Sequence, residues 1–227
     1  MDAGTLYIVS TPIGNLEDIT FRAITVLKNC GLVISEDTRE TDKILKHYQL
    51  TARQISYRDQ NHVRVYGQIL EELKNGINIA LVSDSGTPLI SDPGFKLVSE
   101  LAKAGINIES IPGPSSVISS ISVSGLPTDK FTFLGFLPKS KGQRSAMLKE
   151  YCALETTVII FESPFRVKKL LEEIQSEVGN RFICVVKDQT KVFEKILRSC
   201  VAEVINQIPD NPKGEYIVLI AKEGYSF

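Results

Sequence analysis

Short apolar runs alternate with amphipathic segments along the first half of the chain. The runs are rich in β-branched residues and predict buried strands at residues 6–10, 31–35, 77–82 and 107–111, with a weaker one at 54–56. Between them, apolar positions recur at helical spacing and predict helices over residues 19–29, 38–48, 65–76 and 95–105. Continuous apolar strands separated by helices are typical of a mainly parallel sheet covered on both faces. We therefore expect an α/β fold.

The pattern changes at residues 112–116, where the sequence PGPSS interrupts it with two prolines and a glycine. We place a domain boundary there, with an N-terminal α/β domain at residues 1–113 and a C-terminal α/β domain at residues 114–227. The second half again predicts strands and helices, but its strands include hairpins and edge strands. A mixed sheet is therefore expected in the second domain.

The composition argues against several classes of protein. The 227 residues are 43% hydrophobic and 23% charged, which is ordinary for a folded chain and unlike a disordered one. No apolar run approaches the roughly 20 residues that span a bilayer, and the N-terminus lacks the pattern of a signal peptide, so we expect a cytoplasmic protein with no membrane partner. The four cysteines and two histidines form no metal-binding spacing, so no metal is predicted.

Glycines in the turns of an α/β chain raise the question of nucleotide binding. No two glycines are two residues apart, so the GxGxxG fingerprint is absent, and neither a P-loop nor a GxSxG elbow occurs. A net charge of −1 also argues against indiscriminate binding of nucleic acid, although a local basic patch is compatible with it. The common dinucleotide, nucleoside triphosphate and hydrolase functions are therefore disfavoured.

Four polar loops follow predicted strands of the first domain. They read STPIGNLED, SEDTRE, SDSGTPLISDPG and PGPSS, and they begin at residues 10, 35, 83 and 112. In open parallel sheets, ligands lie beyond the carboxyl ends of the strands. We therefore expect the loops to converge on one crevice, and four independent polar connections are the alternative interpretation.

Several segments resemble a known family in their order and spacing. TPIGNLEDITFRA, SEDTR, ALVSDSGTPLISDPG, IPGPSS and FLGFLP are similar to the tetrapyrrole methylase superfamily, and within it to the ribosomal small subunit methyltransferase I family. The resemblance extends over essentially the whole chain, through FESPFR and KGEYIVLI. It implies S-adenosylmethionine as cofactor, two α/β domains with the cofactor in the cleft between them, and a homodimer. It also implies 2′-O-methylation of a cytidine ribose in the decoding region of 16S rRNA, within the small ribosomal subunit.

The resemblance also implies the residues that bind the cofactor. They lie in three of the four loops and are Pro12, Asp84, Gly86, Thr87, Ser115 and Ser116. An aspartate can pair with the cationic amino-acid end of the cofactor, and serine hydroxyls can meet its carboxylate. The alternatives are that Asp84 caps its own loop and that the serines cap a helix.

Methyl transfer to a sugar hydroxyl needs in-line positioning and a group that removes a poorly acidic proton. Glu36 and Asp37 follow a predicted strand and face the expected crevice, so they are the first candidates for this catalytic role, with Arg39 as a phosphate or carboxylate partner. Ion pairing of a purely structural kind among these three is the alternative. Glu162 of FESPFR is a second candidate.

An RNA substrate requires positive charge. The loop LPKSKGQR offers Lys139, Lys141 and Arg144, and further candidates for substrate contact are Glu162, Arg166 and Lys191, with Arg22 and Lys187 at the rim. So few phosphate contacts give modest affinity, and we expect an assembled ribosomal subunit to be a better substrate than naked RNA. A solvated lysine-rich loop without function is the alternative.

The sequence departs from the family pattern at two places in the second domain. Phe165 stands where a histidine is expected, and KDQTK, residues 187–191, stands where a stretch close to RELTK is expected. These departures leave open a ribosome-associated protein that binds the cofactor with little activity. Methylation of a small tetrapyrrole-type substrate is a second alternative within the same fold, although SEDTR and the basic loop argue against it.

Overall fold

A computed structural model describes residues 3–226 of the chain. The chain divides into two compact units, Met1–Ser115 and Ser116–Phe227. Each unit contains one five-stranded sheet with helices packed against it. The predicted α/β class is therefore confirmed. Within the described residues, no helix is long and apolar enough to cross a membrane.

The sheet of the first unit is parallel throughout. Its strands are β1 (Thr5–Val9), β2 (Leu32–Ser35), β3 (Gln54–Ser56), β4 (Ile79–Val82) and β5 (Asn107–Ile111). They are connected by α1 (Phe21–Asn29), α2 (Thr38–His47), α3 (His62–Lys74) and α4 (Phe95–Lys103), with short 3₁₀ helices at Leu16–Asp18 and Asp59–Asn61. The order across the sheet is β3-β2-β4-β1-β5, and every pair is parallel.

Strand β4 shows why these strands read as continuous apolar runs. Successive side chains of a strand point to opposite faces. Ile79 and Leu81 pack into one hydrophobic cluster with residues of α3 and α4, whereas Ala80 and Val82 pack into a second cluster with residues of α1 and α2. Both faces of the sheet are therefore buried, and this gives β4 four buried positions in a row.

The sheet of the second unit is mixed, as predicted. The elements in chain order are α5 (Ser116–Ser124), β6 (Phe131–Phe136), α6 (Lys141–Cys152), β7 (Thr157–Glu162), α7 (Val167–Val178), β8 (Phe182–Lys187), β9 (Lys195–Cys200), α8 (Val201–Ile205) and β10 (Tyr216–Ile220). The strand order is β6-β7-β10-β8-β9. Only β6 and β7 pair in parallel, and the other three pairs are antiparallel. The last strand, β10, is buried along its whole length in the middle of the sheet.

Four connecting segments lie at the same end of the strands of this second sheet. Glu162 of β7 pairs with Tyr216 of β10, Tyr216 pairs with Lys187 of β8, and Lys187 pairs with Lys195 of β9. These four residues form one row across the sheet, each at the first or last position of its strand. The last residue of β6, Phe136, lies next to β7 at the same end of the sheet. We call the segments that lie there the loop end of the second unit, residues 136–141, 162–168, 187–195 and 209–215.

A buried ion pair connects α6 to α7. Arg144 and Glu173 are 5% and 7% exposed, and the guanidinium donates two hydrogen bonds to the carboxylate. Arg144 also donates from Nη1 to the carbonyl oxygens of Pro138 and Lys139, at 2.9 and 3.0 Å. The hydrogen bond from Arg144 lowers the pKa of Glu173. This enclosed position does not suit the contact with RNA that the sequence suggested for Arg144, because the side chain is buried and its guanidinium already donates four hydrogen bonds within the protein.

Replacing Arg144 with Met should destabilise the second unit, because it leaves the Glu173 carboxylate buried without its partner. We expect the free energy of unfolding, measured in urea, to fall by about 3 kcal/mol. The matched control is Lys149→Met. Lys149 pairs with Glu177 across the same two helices at 2.9 Å, but its side chain is 63% exposed, so the loss should stay below about 1 kcal/mol. Equal losses in the two variants would contradict this interpretation.

Candidate active site

The carboxyl ends of β2, β4, β1 and β5 lie side by side in the first sheet. The register pairs Ile34 with Leu81, Val82 with Val9, and Val9 with Ile111. The loops that follow these strands are the four polar loops singled out in the sequence. The structure therefore brings all four to one edge of the first unit, where parallel sheets bind their ligands.

The loops after β1 and β4 are joined by a short antiparallel bridge between Thr11 and Gly86. Thr11 donates its N–H to the Gly86 carbonyl at 2.9 Å, and Gly86 donates back at 3.1 Å. The hydroxyls of Thr11 and Ser83 reinforce the turn: Thr11 Oγ1 donates to the Ser83 carbonyl and Ser83 Oγ donates to that of Gly86, each at 3.1 Å. Both loops are thus held at a fixed separation by their own backbones.

Gly86 is required at this bridge for two reasons. Its φ of +83° lies in the left-handed region, which side chains with a Cβ seldom adopt. A Cβ at this position would also lie 3.1 Å from Cγ2 of Ile13. The glycine therefore permits the close approach of the two loops.

Thr87 connects the β4 loop to two further segments. Its hydroxyl lies 3.1 Å from Ser10 Oγ at the end of β1 and donates to the carbonyl of Pro114 in the loop after β5, also at 3.1 Å. Gly113 passes so close to β1 that a Cβ there would lie 3.0 Å from the Cβ of Ser10. Thr87, which the sequence suggested as a cofactor contact, thus fixes the relative positions of three loops.

Asp37 and Asp84 connect the β2 loop to the β4 loop. The N–H of Asp37 donates to Oδ1 of Asp84 at 3.1 Å. The Asp37 carboxylate caps α2 by accepting from the N–H of Arg39 at 2.9 Å, and it also accepts from the Arg39 guanidinium. The hydrogen bonds from Arg39 hold the pKa of Asp37 well below its usual range. Asp37, the residue immediately before α2, is therefore the N-cap of this helix.

The two aspartates of the β4 loop, Asp84 and Asp92, have raised pKa values. Burial raises the pKa of Asp84, and the negative charges of Asp37 and Glu40 raise it further. Burial raises the pKa of Asp92 to about 6, with a further contribution from the negative charges of Glu36 and Asp84. Ionisation of either group is penalised because neighbouring groups are negative and water is partly excluded.

This electrostatic environment favours a cationic ligand. A positive group placed among Glu36, Asp84 and Asp92 would offset both the burial and the like-charge repulsion. S-adenosylmethionine carries a sulfonium and an ammonium, so it fits the carboxylates that are present. Within the described part of the chain, no cluster of three or more His, Cys, Asp or Glu has the arrangement of a metal site.

The other residues suggested in the first unit are placed as follows. Pro12 is buried beside the Thr11–Gly86 bridge, and Ser115 lies directly after Pro114 at the end of the unit. Ser116 opens α5 in the second unit. Glu36 is partly exposed and lies 3.9 Å from the Arg58 guanidinium. Of the three residues suggested for catalysis, Asp37 and Arg39 are therefore paired with each other, and Glu36 is the least engaged.

In the second unit, the suggested substrate residues divide into two groups. Lys139 and Lys141 are exposed at the loop end. Glu162 and Arg166 form an ion pair at 2.7 Å, in which the Glu162 side chain is almost fully buried, and Lys191 pairs with Glu215 at 2.9 Å. The paired residues stabilise the loop end, whereas the two lysines are available to a partner.

Sequence reasoning missed Asp92 and Phe193. Asp92 belongs to the second of two Ser-Asp pairs in SDSGTPLISDPG, and this repetition was the available signal. Phe193 is 79% exposed in the loop before β9, although nothing in the sequence of that loop distinguishes it from a core position. Both omissions concern burial, which depends on contacts distant along the chain.

Comparison with known proteins gives a consistent result over most of the chain. The model of the tetrapyrrole (corrin/porphyrin) methylases matches residues 5–205. A protein of Halalkalibacterium halodurans named ribosomal RNA small subunit methyltransferase I is 41% identical over 224 residues, covering 98% of this chain and 78% of the relative. Proteins of the same name from Escherichia coli O157:H7 and Thermotoga maritima are 43% and 40% identical, each covering 96% of this chain and 77% and 98% of their own length.

Solved structures share the fold at much lower sequence identity. A diphthine synthase superposes with a TM-score of 0.77 at 12% identity, covering 99% of this chain and 92% of its own. The uroporphyrin III C-methyl transferase from Thermus thermophilus gives a TM-score of 0.67 at 17% identity, covering 97% of this chain and 98% of its own. These likenesses show the architecture and nothing finer.

Replacing Gly86 with Ala should destabilise the first unit by about 2 kcal/mol, because alanine is strained at positive φ and its Cβ crowds Ile13. Urea unfolding measures this loss. The matched control is Gly67→Ala within α3, where an added Cβ meets no atom within 4 Å. The control should stabilise the protein by roughly 0.5–1 kcal/mol. A neutral Gly86→Ala variant would show that the bridge does not constrain the loops.

Proposed function

The chain belongs to the tetrapyrrole methylases, and from this premise we propose that it methylates the ribose 2′-hydroxyl of a cytidine in the decoding region of 16S rRNA. S-adenosylmethionine is the methyl donor of this family. In our proposal, the substrate is the small ribosomal subunit in the cytoplasm, and the enzyme works as a homodimer. The relatives that are about 40% identical over nearly the whole chain are named as methyltransferases of small subunit ribosomal RNA, which supports this substrate.

The acidic β4 loop is the observation that carries the proposal. A methyl donor with a sulfonium already supplies a reactive methyl group, so the protein has to bind it, orient it and accept a proton. Asp84 and Asp92 are suited to hold the positive end of the donor. Gly86 and Thr87 position the loop, since the bridge to Thr11 and the hydroxyl contacts to Ser10 and Pro114 fix its backbone. Pro12, Ser115 and Ser116 complete the proposed binding set.

Glu36 is the residue we assign to proton removal. Asp37 is a weak base because its pKa is held low by Arg39, and its carboxylate is committed to capping α2. The N–H of Asp37 instead orients Asp84. Glu36 lies beside these groups in the chain, keeps its carboxylate partly exposed, and has only a distant contact with Arg58. Arg39 then acts indirectly, by holding Asp37 in place.

Deleting the gene should abolish one 2′-O-methylcytidine of 16S rRNA, as measured by mass spectrometry of nucleosides and of mapped fragments. Expression of the wild-type protein should restore the modification, whereas Asp84→Ala should not, because it removes the carboxylate proposed to hold the donor. Asp129→Ala is the control, since Asp129 is an exposed aspartate of the second unit. Persistence of the modification after deletion would refute the proposed substrate.

Affinity for S-adenosylmethionine should fall as the pH is lowered through about 6. The raised pKa values of Asp92 and Asp84 mean that acidification neutralises the carboxylates that attract the cation. Calorimetric titrations between about pH 5 and pH 8 should show a loss of roughly tenfold for the wild type, which corresponds to about one pKa unit of coupling. Asp92→Asn should bind more weakly near pH 8 and show a flatter profile. A wild-type profile without pH dependence would contradict this role.

A further inference from the structure

The loop end of the second unit carries several exposed apolar side chains. Phe165 is 91% exposed, Val192 94%, Phe193 79% and Phe136 56%. Phe165 lies three residues beyond Glu162 of β7, and Phe193 lies two residues before Lys195 of β9. The row from Glu162 to Lys195 crosses three strand spacings, so the two loops begin about 14 Å apart. Exposed aromatic residues that are concentrated at one end of a sheet indicate a binding surface.

The loop that presents Phe165 is internally fixed. Oε1 of the buried Glu162 accepts from the Ser163 N–H at 2.7 Å and from Arg166 Nε at 2.8 Å. The N–H of Val167 donates to the Ser163 carbonyl at 3.1 Å, which closes the turn at the start of α7. Phe165 is thus held outward by a folded turn.

The loop that presents Phe193 is fixed in a similar way. Asp188 and Thr190 have φ values of +51° and +62°, and the N–H of Lys191 donates to the Asp188 carbonyl at 2.9 Å. The N–H of Asp188 also donates to the Glu215 carbonyl at 2.9 Å, and the N–H of Glu215 donates to Oδ1 of Asp188 at 3.1 Å. A loop whose backbone is already fixed loses little conformational entropy on binding, so this construction favours recognition of a ligand by the aromatic ring that the loop presents.

The segments of the loop end also carry an excess of positive charge. The loop end contains eight basic residues and five acidic ones in a chain whose net charge is −1. Four of the acidic residues form ion pairs there: Glu162 with Arg166, Asp188 with Lys187, Asp210 with Lys168, and Glu215 with Lys191. Among the described ion pairs, none involves the lysines Lys139, Lys141, Lys195 and Lys213. The surface therefore combines aromatic rings with available cations.

Three buried polar atoms of the described residues lie at the same end of the second sheet without a hydrogen-bond partner. Within the described residues, Tyr216 OH, Gln189 Oε1 and Thr190 Oγ1 are buried and have no hydrogen-bond partner. Tyr216 is 3% exposed and lies between Glu162 and Lys187 at the loop end of the sheet. Interfaces between protein copies are depleted of lysine, whereas the loop end carries four lysines outside the described ion pairs. A partner with flat rings and negative charge fits better.

We propose that Phe165 and Phe193 form a stacking surface for unpaired bases of the RNA substrate, while Lys139, Lys141 and Lys195 contact its phosphates. Proteins that bind single-stranded RNA combine stacked aromatic rings with a basic surface in this way. The inference rests on the proposed function, since it presumes an RNA substrate, and it adds where and how that RNA is held. Phe165 then supports binding through its ring, at the position where the family pattern led us to expect histidine.

The test measures binding of a labelled, cytidine-rich single-stranded RNA of about 12 nucleotides by fluorescence anisotropy. Phe165→Ala and Phe193→Ala should each weaken binding about tenfold, as expected for loss of one stacked base. Phe165→Tyr should retain wild-type affinity because it keeps the ring. Phe131→Ala is the control. Phe131 is the first residue of β6, so it lies at the end of the sheet opposite to the loop end, and it is 40% exposed.

Two further readouts separate stacking from charge and from folding. For an abasic ribose-phosphate chain as long as the RNA probe, the alanine variants should have the same affinity as the wild-type protein. The salt dependence of their RNA binding should also equal that of the wild type. Lys139→Gln combined with Lys141→Gln should instead reduce the salt slope by about 1.4, or roughly 0.7 for each phosphate contact to a single strand. Thermal melting should be unchanged for the phenylalanine variants, because both side chains are exposed.

Three results would overturn the inference. If the wild-type protein binds the RNA and both alanine variants bind it equally well, the rings do not stack bases. An equal loss for the abasic probe would assign the effect to something other than base stacking. A change of oligomeric state in these variants, measured by light scattering, would identify the surface as an interface between copies. If the wild type binds no RNA and 16S rRNA keeps its methylation after deletion, the proposed function fails as well.

Discussion

The bridge between Thr11 and Gly86 is the constraint on which the candidate site depends. Parallel strands pair only along their length, so the loops that leave them are not held together by the sheet itself. Here a single antiparallel bridge joins the loops after β1 and β4, and hydroxyl contacts through Thr87 extend the connection to the loop after β5. The positions of Asp84 and Asp92 follow from this arrangement, because both belong to the loop that the bridge holds.

The same loop concentrates negative charge that the protein does not neutralise by itself. Arg39 is engaged with Asp37, and Arg58 lies 3.9 Å from Glu36, so neither forms a close pair with Asp84 or Asp92. An unbound site of this kind is electrostatically unfavourable, and that cost makes a cationic ligand bind more tightly than an isosteric neutral one. Discrimination between the methylated donor and its demethylated product is consistent with this principle, since loss of the methyl group also removes the sulfonium charge.

The sequence predicted the first unit well because its physics is local. Strands buried on both faces give unbroken apolar runs, and the polar loops follow them directly, so the fold class and the meeting of four loops could be predicted. Arg144 shows where such reasoning fails. It was read as part of a flexible basic loop, yet it lies within α6 and pairs with Glu173, 29 residues away. Burial of a charge depends on such distant partners, and the raised pKa of Asp92 was missed for the same reason.

Strand β10 has a consequence for the order in which the protein folds. Among the described residues it is the last strand in sequence order, yet it lies between β7 and β8 and forms hydrogen bonds with both. During synthesis, β7 and β8 therefore have no central partner until residues 216–220 leave the ribosome, whereas the first unit is already complete at Ser115. Domains fold as units as the chain emerges. The first unit can thus form early, while β7 and β8 keep the hydrogen-bonding edges that face β10 open until Tyr216 is made, 54 residues after the end of β7 and 29 residues after the end of β8.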